Sequence, residues 1–169
     1  MQAVHVVRTL ADQLANVTIS RIGRVAMTTP HAAIEMPDTL VLVTDDGACI
    51  LLRYGQGGMS CVSGSDLTAL WPSDDHEPDE WLEVAGIPDG PPLSAFPATV
   101  TQVSARLGIG DYEDVLGLTL RTSTGAELVF STGRGQLDVV SGEEMLRVAE
   151  EVARWAKMRI ERLTLVPGS

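Results

Sequence analysis

The sequence predicts an α+β fold in which two tandem antiparallel β-meander repeats form a sheet or half-barrel and a long C-terminal helix packs on one face. Three observations support this prediction: an internal repeat, glycine turns at matching places within it, and apolar residues at helical spacing near the C-terminus. A chain of 169 residues is expected to form a single domain, 1–169. It is long enough to bury a stable hydrophobic core without a bound metal or disulfide bonds.

The internal repeat relates residues 44–64 to residues 122–142. At a constant offset of 78 positions, eight of the 21 residues are identical, and most of the other apolar positions stay apolar. Weaker similarity continues upstream, which places the repeats at about 15–72 and 98–163. Each repeat is predicted to contain a strand, a connection and three more strands.

The first glycine turn of each repeat predicts the register of the strands around it. The tripeptides that end at Gly47 and Gly125 fit three-residue hairpin loops with glycine in the left-handed conformation. This loop length places apolar pairs on one face and an ion pair on the other, as a one-sided sheet requires. The predicted pairs are Leu42 with Ile50, Leu40 with Leu52, Leu120 with Leu128, Leu118 with Phe130 and Arg121 with Glu127.

A second glycine turn follows in each repeat, at 55–57 and 133–135. Strands are predicted on both sides, so both are interpreted as hairpin turns, since a phosphate-binding loop needs a helix after the glycines. This turn places Cys61 on the inner face and Cys49 on the outer face. The two thiols are therefore expected to be free, with Cys61 buried.

Three helices are predicted. Ser141 and Glu144 form a capping box, and apolar residues at helical spacing extend the helix after it through 143–163. The equivalent helix of the first repeat is cut short at Pro72. A further helix is expected over 6–15.

The net charge of −11 is distributed unevenly along the chain. Between Tyr54 and Ala105 there is no Lys or Arg, and this span holds eight acidic residues. Much of it is a Pro-rich linker, 73–93, predicted to be loop-like. An acidic chain without a basic cluster argues against nucleic-acid and anionic-membrane binding. With no signal peptide and no long apolar run, the protein is expected to be cytoplasmic.

The acidic segment around the linker is the candidate partner-binding surface. Its residues combine carboxylates with flanking tryptophans, and they are Trp71, Asp74, Asp75, Asp79, Glu80 and Trp81. One interpretation is a docking surface for a basic protein, with Trp as an anchor. The other is a solvated linker whose tryptophans pack onto the sheet.

No cofactor and no catalytic or metal site is predicted. His31 and Glu35 would share one face of a helix starting at Pro30, but two ligands do not make a metal site. The function expected from these features is a non-catalytic protein-binding module, for example an inhibitor or immunity-type protein for a basic partner. The alternative is a small-molecule-binding protein or cofactor-free enzyme with a pocket between the two repeats.

Overall fold

The computed structural model describes residues 2–55, 57–70, 81–87 and 95–168. The helices in this part of the chain are α1 (Gln2–Gln13), α2 (Leu67–Leu70) and α3 (Gly142–Ala156), and Gly133–Gly135 forms one 3-10 turn. The strands are β1 (Thr18–Thr28), β2 (Ala33–Glu35), β3 (Thr39–Thr44), β4 (Cys49–Gly55), β5 (Gly58–Gly64), β6 (Trp81–Ala85), β7 (Ala98–Ile109), β8 (Glu113–Thr122), β9 (Glu127–Ser131), β10 (Asp138–Val139) and β11 (Arg159–Leu165).

The strands form one open antiparallel sheet with two branch points. Its main path runs β10-β9-β8-β7-β1-β3-β4-β5. The long strand β7 also pairs with β11, and the long strand β1 also pairs with β2 and β6. Where β1 meets β7 the register covers two residue pairs, Thr18 with Thr99 and Ile19 with Ala98. The predicted mixture of antiparallel sheet and helices is confirmed.

The predicted hairpin registers are also confirmed. Leu42 lies opposite Ile50 and Leu40 opposite Leu52. The second set of pairs is Leu120 with Leu128, Leu118 with Phe130 and Arg121 with Glu127. Gly47 and Gly125 have φ angles of 87° and 85°, so both occupy the left-handed region that the three-residue loops require.

The main core lies under α1. It contains residues from the strands on both sides of the β1–β7 contact, from β5 to β9. Helix α1 buries one stripe, which includes Val7, Leu10 and Ala11, against residues of the early and the late strands alike. A second cluster fills the opposite face of β3 and β4 beneath α2 and β6. A third joins Leu116 of β8 to the inner face of α3. None of the helices in the described ranges has the length and apolar content needed to cross a membrane.

The C-terminal helix is shorter than predicted. Ser141 caps the helix as predicted, because its Oγ accepts a hydrogen bond of 3.1 Å from Glu144 N, and the Glu144 carboxylate accepts hydrogen bonds from Arg147. The helix then ends at Ala156, since Lys157 takes the left-handed conformation with φ 57°. Residues 159–163, which the prediction placed in the helix, belong to β11 along β7. Ile160 and Leu163 are three residues apart, as on one face of a helix, whereas Leu163, Thr164 and Leu165 alternate as in a strand.

The glycines at 133–135 form a 3-10 turn that joins the antiparallel strands β9 and β10, so the predicted hairpin is present. Two other expectations need correction. His31 and Glu35 do not lie on a helix, because Ala33–Glu35 forms β2 and all of this segment is exposed. Part of the predicted linker forms β6, which pairs with β1. The alternating sequence WLEVA explains that pairing, because it places Leu82 and Val84 on the packed face.

The cysteines are free and lie on opposite faces, as predicted. Their burial differs from the prediction: Cys49 is the buried one, with 4% exposure, and Cys61 is half-buried. The reason is that α2 and β6 cover the face that was expected to meet solvent. Burial raises the pKa of the Cys61 thiol to about 12, and its Sγ donates to Gln13 Oε1 at 3.1 Å.

Candidate functional site

Most of the predicted partner-binding surface lies outside the described residues. That holds for Trp71, Asp74, Asp75, Asp79 and Glu80. Trp81 is described: it opens β6, its side chain is 43% exposed, and its indole Nε1 donates a 2.8 Å hydrogen bond to Glu83 Oε1. This tryptophan is therefore available at the surface beside a carboxylate.

A cleft of about 690 Å³ opens elsewhere, between the turn that joins β4 to β5 and the turn that joins β7 to β8. The N-terminus of α1 forms a third wall. The described lining residues are Gln2, Tyr54, Gly55, Gly57, Gly58, Tyr112, Glu113 and Asp114. Early and late parts of the chain thus contribute to the same cleft.

A hydrogen bond between Tyr54 and Asp114 joins the two sides of the cleft. Tyr54 lies near the end of β4, and its hydroxyl donates to Asp114 Oδ2. Asp114 is the second residue of β8 and is only 7% exposed. Its other oxygen, Oδ1, accepts from Val115 N at 2.9 Å. Both carboxylate oxygens of this buried side chain are therefore hydrogen-bonded, as burial demands.

Burial changes the acidity of both groups. Desolvation raises the pKa of Asp114, and the hydrogen bonds from Tyr54 and Val115 oppose part of that increase. Desolvation, followed by the hydrogen bond to Asp114, raises the pKa of the Tyr54 phenol. The phenol consequently stays protonated at neutral pH and acts as a donor.

The remaining side chains give the cleft an acidic and aromatic character. Tyr112 is 56% exposed at the mouth. Glu113 lies beside it, and its Oε1 accepts a 3.3 Å hydrogen bond from Ala3 N at the start of α1. Among the described lining residues there is no Lys, Arg or His. Carboxylates next to tyrosine rings are suited to hold a cationic group, by ion pairing and by cation–π contact.

The described lining of the cleft does not contain the residue pairs typical of nucleophilic catalysis. Its described lining has no Ser, Cys, Lys or His side chain that could act as a nucleophile beside a base. In the described ranges, no group of three or more His, Cys, Asp or Glu side chains is arranged to hold a metal ion.

Sequence reasoning missed this cleft because its key pair is separated by 60 positions. One signal was available. Asp114 is a charged residue in a strand where Val115, Leu116 and Leu118 are all buried. A carboxylate in such a position needs a partner, but the sequence does not name a tyrosine from another strand.

The raised pKa of Asp114 predicts how stability depends on pH. A carboxyl whose folded pKa lies above its unfolded value of 3.8 adds stability at low pH, and that contribution is lost as pH rises through the folded pKa. The free energy of unfolding of the wild type, taken relative to Asp114→Asn, should therefore fall as pH rises above about 4. Urea denaturation of both proteins from pH 3 to 8 measures this difference, and parallel pH curves would contradict it.

Comparisons of the chain with protein-family models, with curated proteins and with solved structures found no match.

Proposed function

We propose that this protein is a non-catalytic, cytoplasmic binding module for a basic protein, and that the cleft receives a Lys or Arg side chain of that partner. The observation that carries the proposal is the composition of the cleft. Two carboxylates and two tyrosine rings line it, and none of the described lining residues carries a positive charge. An inhibitor or immunity-type protein is one example of such a module.

The charge of the whole chain supports the same partner. A net charge of −11 attracts a basic protein at long range and speeds association. The acidic segment concentrates much of that charge in one stretch, and the exposed Trp81 at its end provides an aromatic contact. The cleft then supplies the short-range recognition that a diffuse charge cannot.

A fluorescent arginine-rich peptide is the probe for this proposal. Binding is measured by anisotropy for the wild type, for Tyr112→Ala and for Asp114→Asn. Loss of a cation–π contact or a charge-assisted hydrogen bond should weaken binding by about tenfold. The acidic segment is tested separately by changing Asp74, Asp75 and Asp79 to Asn and Glu80 to Gln.

Asp45→Asn is the matched control for the cleft variants. It also removes one negative charge, but Asp45 is exposed in the turn at the opposite end of β4. The proposal predicts that this control binds the peptide as the wild type does. If Asp45→Asn weakens binding as much as Asp114→Asn does, and Tyr112→Ala has no effect, only the net charge matters and the cleft is not the recognition site.

A small cationic molecule is the second candidate occupant. The volume of about 690 Å³ lies in the range of small-molecule pockets. Titration with spermidine and with arginine methyl ester distinguishes a small-molecule ligand from a protein partner. Tight 1:1 binding of a free amine, lost in Asp114→Asn, favours the small molecule, whereas binding of the peptide alone favours the protein partner.

We further infer that the fold consists of two copies of one unit. In the first copy, β1, β3, β4, β5 and α2 are followed by β6, which returns to pair with β1. In the second, β7, β8, β9, β10 and α3 are followed by β11, which returns to pair with β7. This shared order and the eight identities support a duplication, and the half-barrel stays a prediction. Superposition of the two sets of strands in an experimental structure is the test.

A further inference from the structure

A second concave surface lies between the first turn of α3 and the neighbouring strands. It encloses about 190 Å³, and we call it the arginine groove because Arg106, Arg121 and Arg162 all line it. Gly142 and Met145 of α3 form one side. The groove is thus on a different surface from the cleft of Tyr54 and Asp114.

Two of these arginines are direct neighbours across a strand pair. Arg106 on β7 lies opposite Arg162 on β11 in the antiparallel register. Like charges directly opposite one another destabilise a sheet. The placement therefore costs folding free energy unless something else compensates it.

Neither guanidinium has a compensating partner among the described residues. Two acids on neighbouring strands already have arginine partners: Glu127, which also lines the groove, pairs with Arg121 at 3.3 Å, and Glu161 pairs with Arg159 at 3.1 Å. No ion pair or side-chain hydrogen bond joins Arg106 or Arg162 to any residue in the described ranges.

Burial adds to the cost at Arg106. Its side chain is half-buried beside the polar residues Ser104 and Thr119 of the groove. Desolvation, together with the charge of Arg162, lowers its pKa. In a protein of net charge −11, an uncompensated arginine pair is not explained by a shortage of acidic residues.

We propose that the arginine groove is a binding site for a small oxyanion, a phosphate or carboxylate group held between Arg106 and Arg162. Guanidinium groups recognise both of these anions by paired hydrogen bonds. Hydroxyl groups of Ser104 and Thr119 provide further donors within the groove. The first helical residue of α3, Gly142, also faces it and brings the positive end of the helix dipole.

Size and charge restrict the ligand to a small group. A volume of about 190 Å³ is below that of a pocket for a drug-sized molecule. The strongly negative chain also repels a polyanion such as nucleic acid. The site therefore fits one phosphate or one carboxylate, either free or on a small metabolite.

Titration with inorganic phosphate and with acetate, at constant ionic strength set with chloride, tests the proposal and separates the two anions. Chemical shifts of backbone amides at Arg106, Arg162 and Gly142 are followed by NMR. Saturable shifts confined to the groove are expected with at least one anion. Arg106→Gln and Arg162→Gln should each weaken that binding by about tenfold or more.

Arg159→Gln is the matched control, because it removes an equal charge from the same strand β11 outside the groove. It should bind the anion as the wild type does. The proposal is overturned if neither anion gives saturable shifts in the wild type, or if Arg159→Gln weakens binding as much as Arg162→Gln. Since Arg162 is exposed, its variant is expected to fold even if Arg106→Gln does not.

Discussion

Phe130→Ala is expected to lower the free energy of unfolding by about 3–5 kcal/mol, the range for deleting a large aromatic side chain from a core. Phe130 is completely buried, lies opposite Leu118, and belongs to the main core cluster beneath α1. The smaller side chain leaves a cavity that the two flanking strands cannot close. Urea denaturation monitored by circular dichroism measures the loss.

Leu146→Ala is the control for this experiment. It removes a large apolar side chain that is 39% exposed on α3. A surface substitution of this kind should change stability by only about 0.5 kcal/mol. Equal losses for the two variants would mean that Phe130 does not occupy the core, and an unchanged midpoint for Phe130→Ala would invalidate the register of β8 and β9.

Gly133→Ala is expected to destabilise the protein by about 1–3 kcal/mol, the usual cost of overfilling a packed core. A Cβ at this position would overlap Cγ1 of Val148 on α3. Val148 is itself only 8% exposed, so it has little room to move aside. The close approach of the 3-10 turn to the helix therefore requires glycine for reasons of space.

The double variant Gly133→Ala with Val148→Ala tests that explanation. If the clash is the cause, the two changes together should cost clearly less than the sum of their separate effects. Gly142→Ala serves as a control, because a Cβ there meets no atom within 4 Å, and it should be neutral or slightly stabilising. Additive losses in the double variant would exclude the proposed clash.

The sequence predicted the structure best where a few neighbouring residues decide the backbone conformation. Gly47 and Gly125 adopt the φ angles that their loop type requires, and the register of the flanking strands followed from them. Ser141 caps α3 because a hydroxyl before a helix has a free N–H three residues ahead to bind. These features depend on a few neighbouring residues, so a single sequence contains enough information.

The sequence predicted the structure least well where tertiary contacts decide between two conformations, or two degrees of burial, that the local sequence allows equally. Residues 159–165 could extend α3 or start a strand, and the free edge of β7 selected the strand. Cys49 is buried because α2 and β6 cover its face of the sheet, and the local sequence pattern predicted that this face meets solvent. The cleft could not be predicted, because Tyr54 and Asp114 become neighbours only after the sheet has formed.

The position of α1 has a consequence for how the chain folds. This helix precedes every strand, yet its first turn bonds to Glu113, 110 positions later, and its apolar stripe packs on strands from both ends of the sheet path. During synthesis its apolar stripe can pack on β5 first, and it is fully covered only after β7 and β8 have been made. Because closing such long loops is entropically costly, we expect slow folding compared with helical proteins of this size.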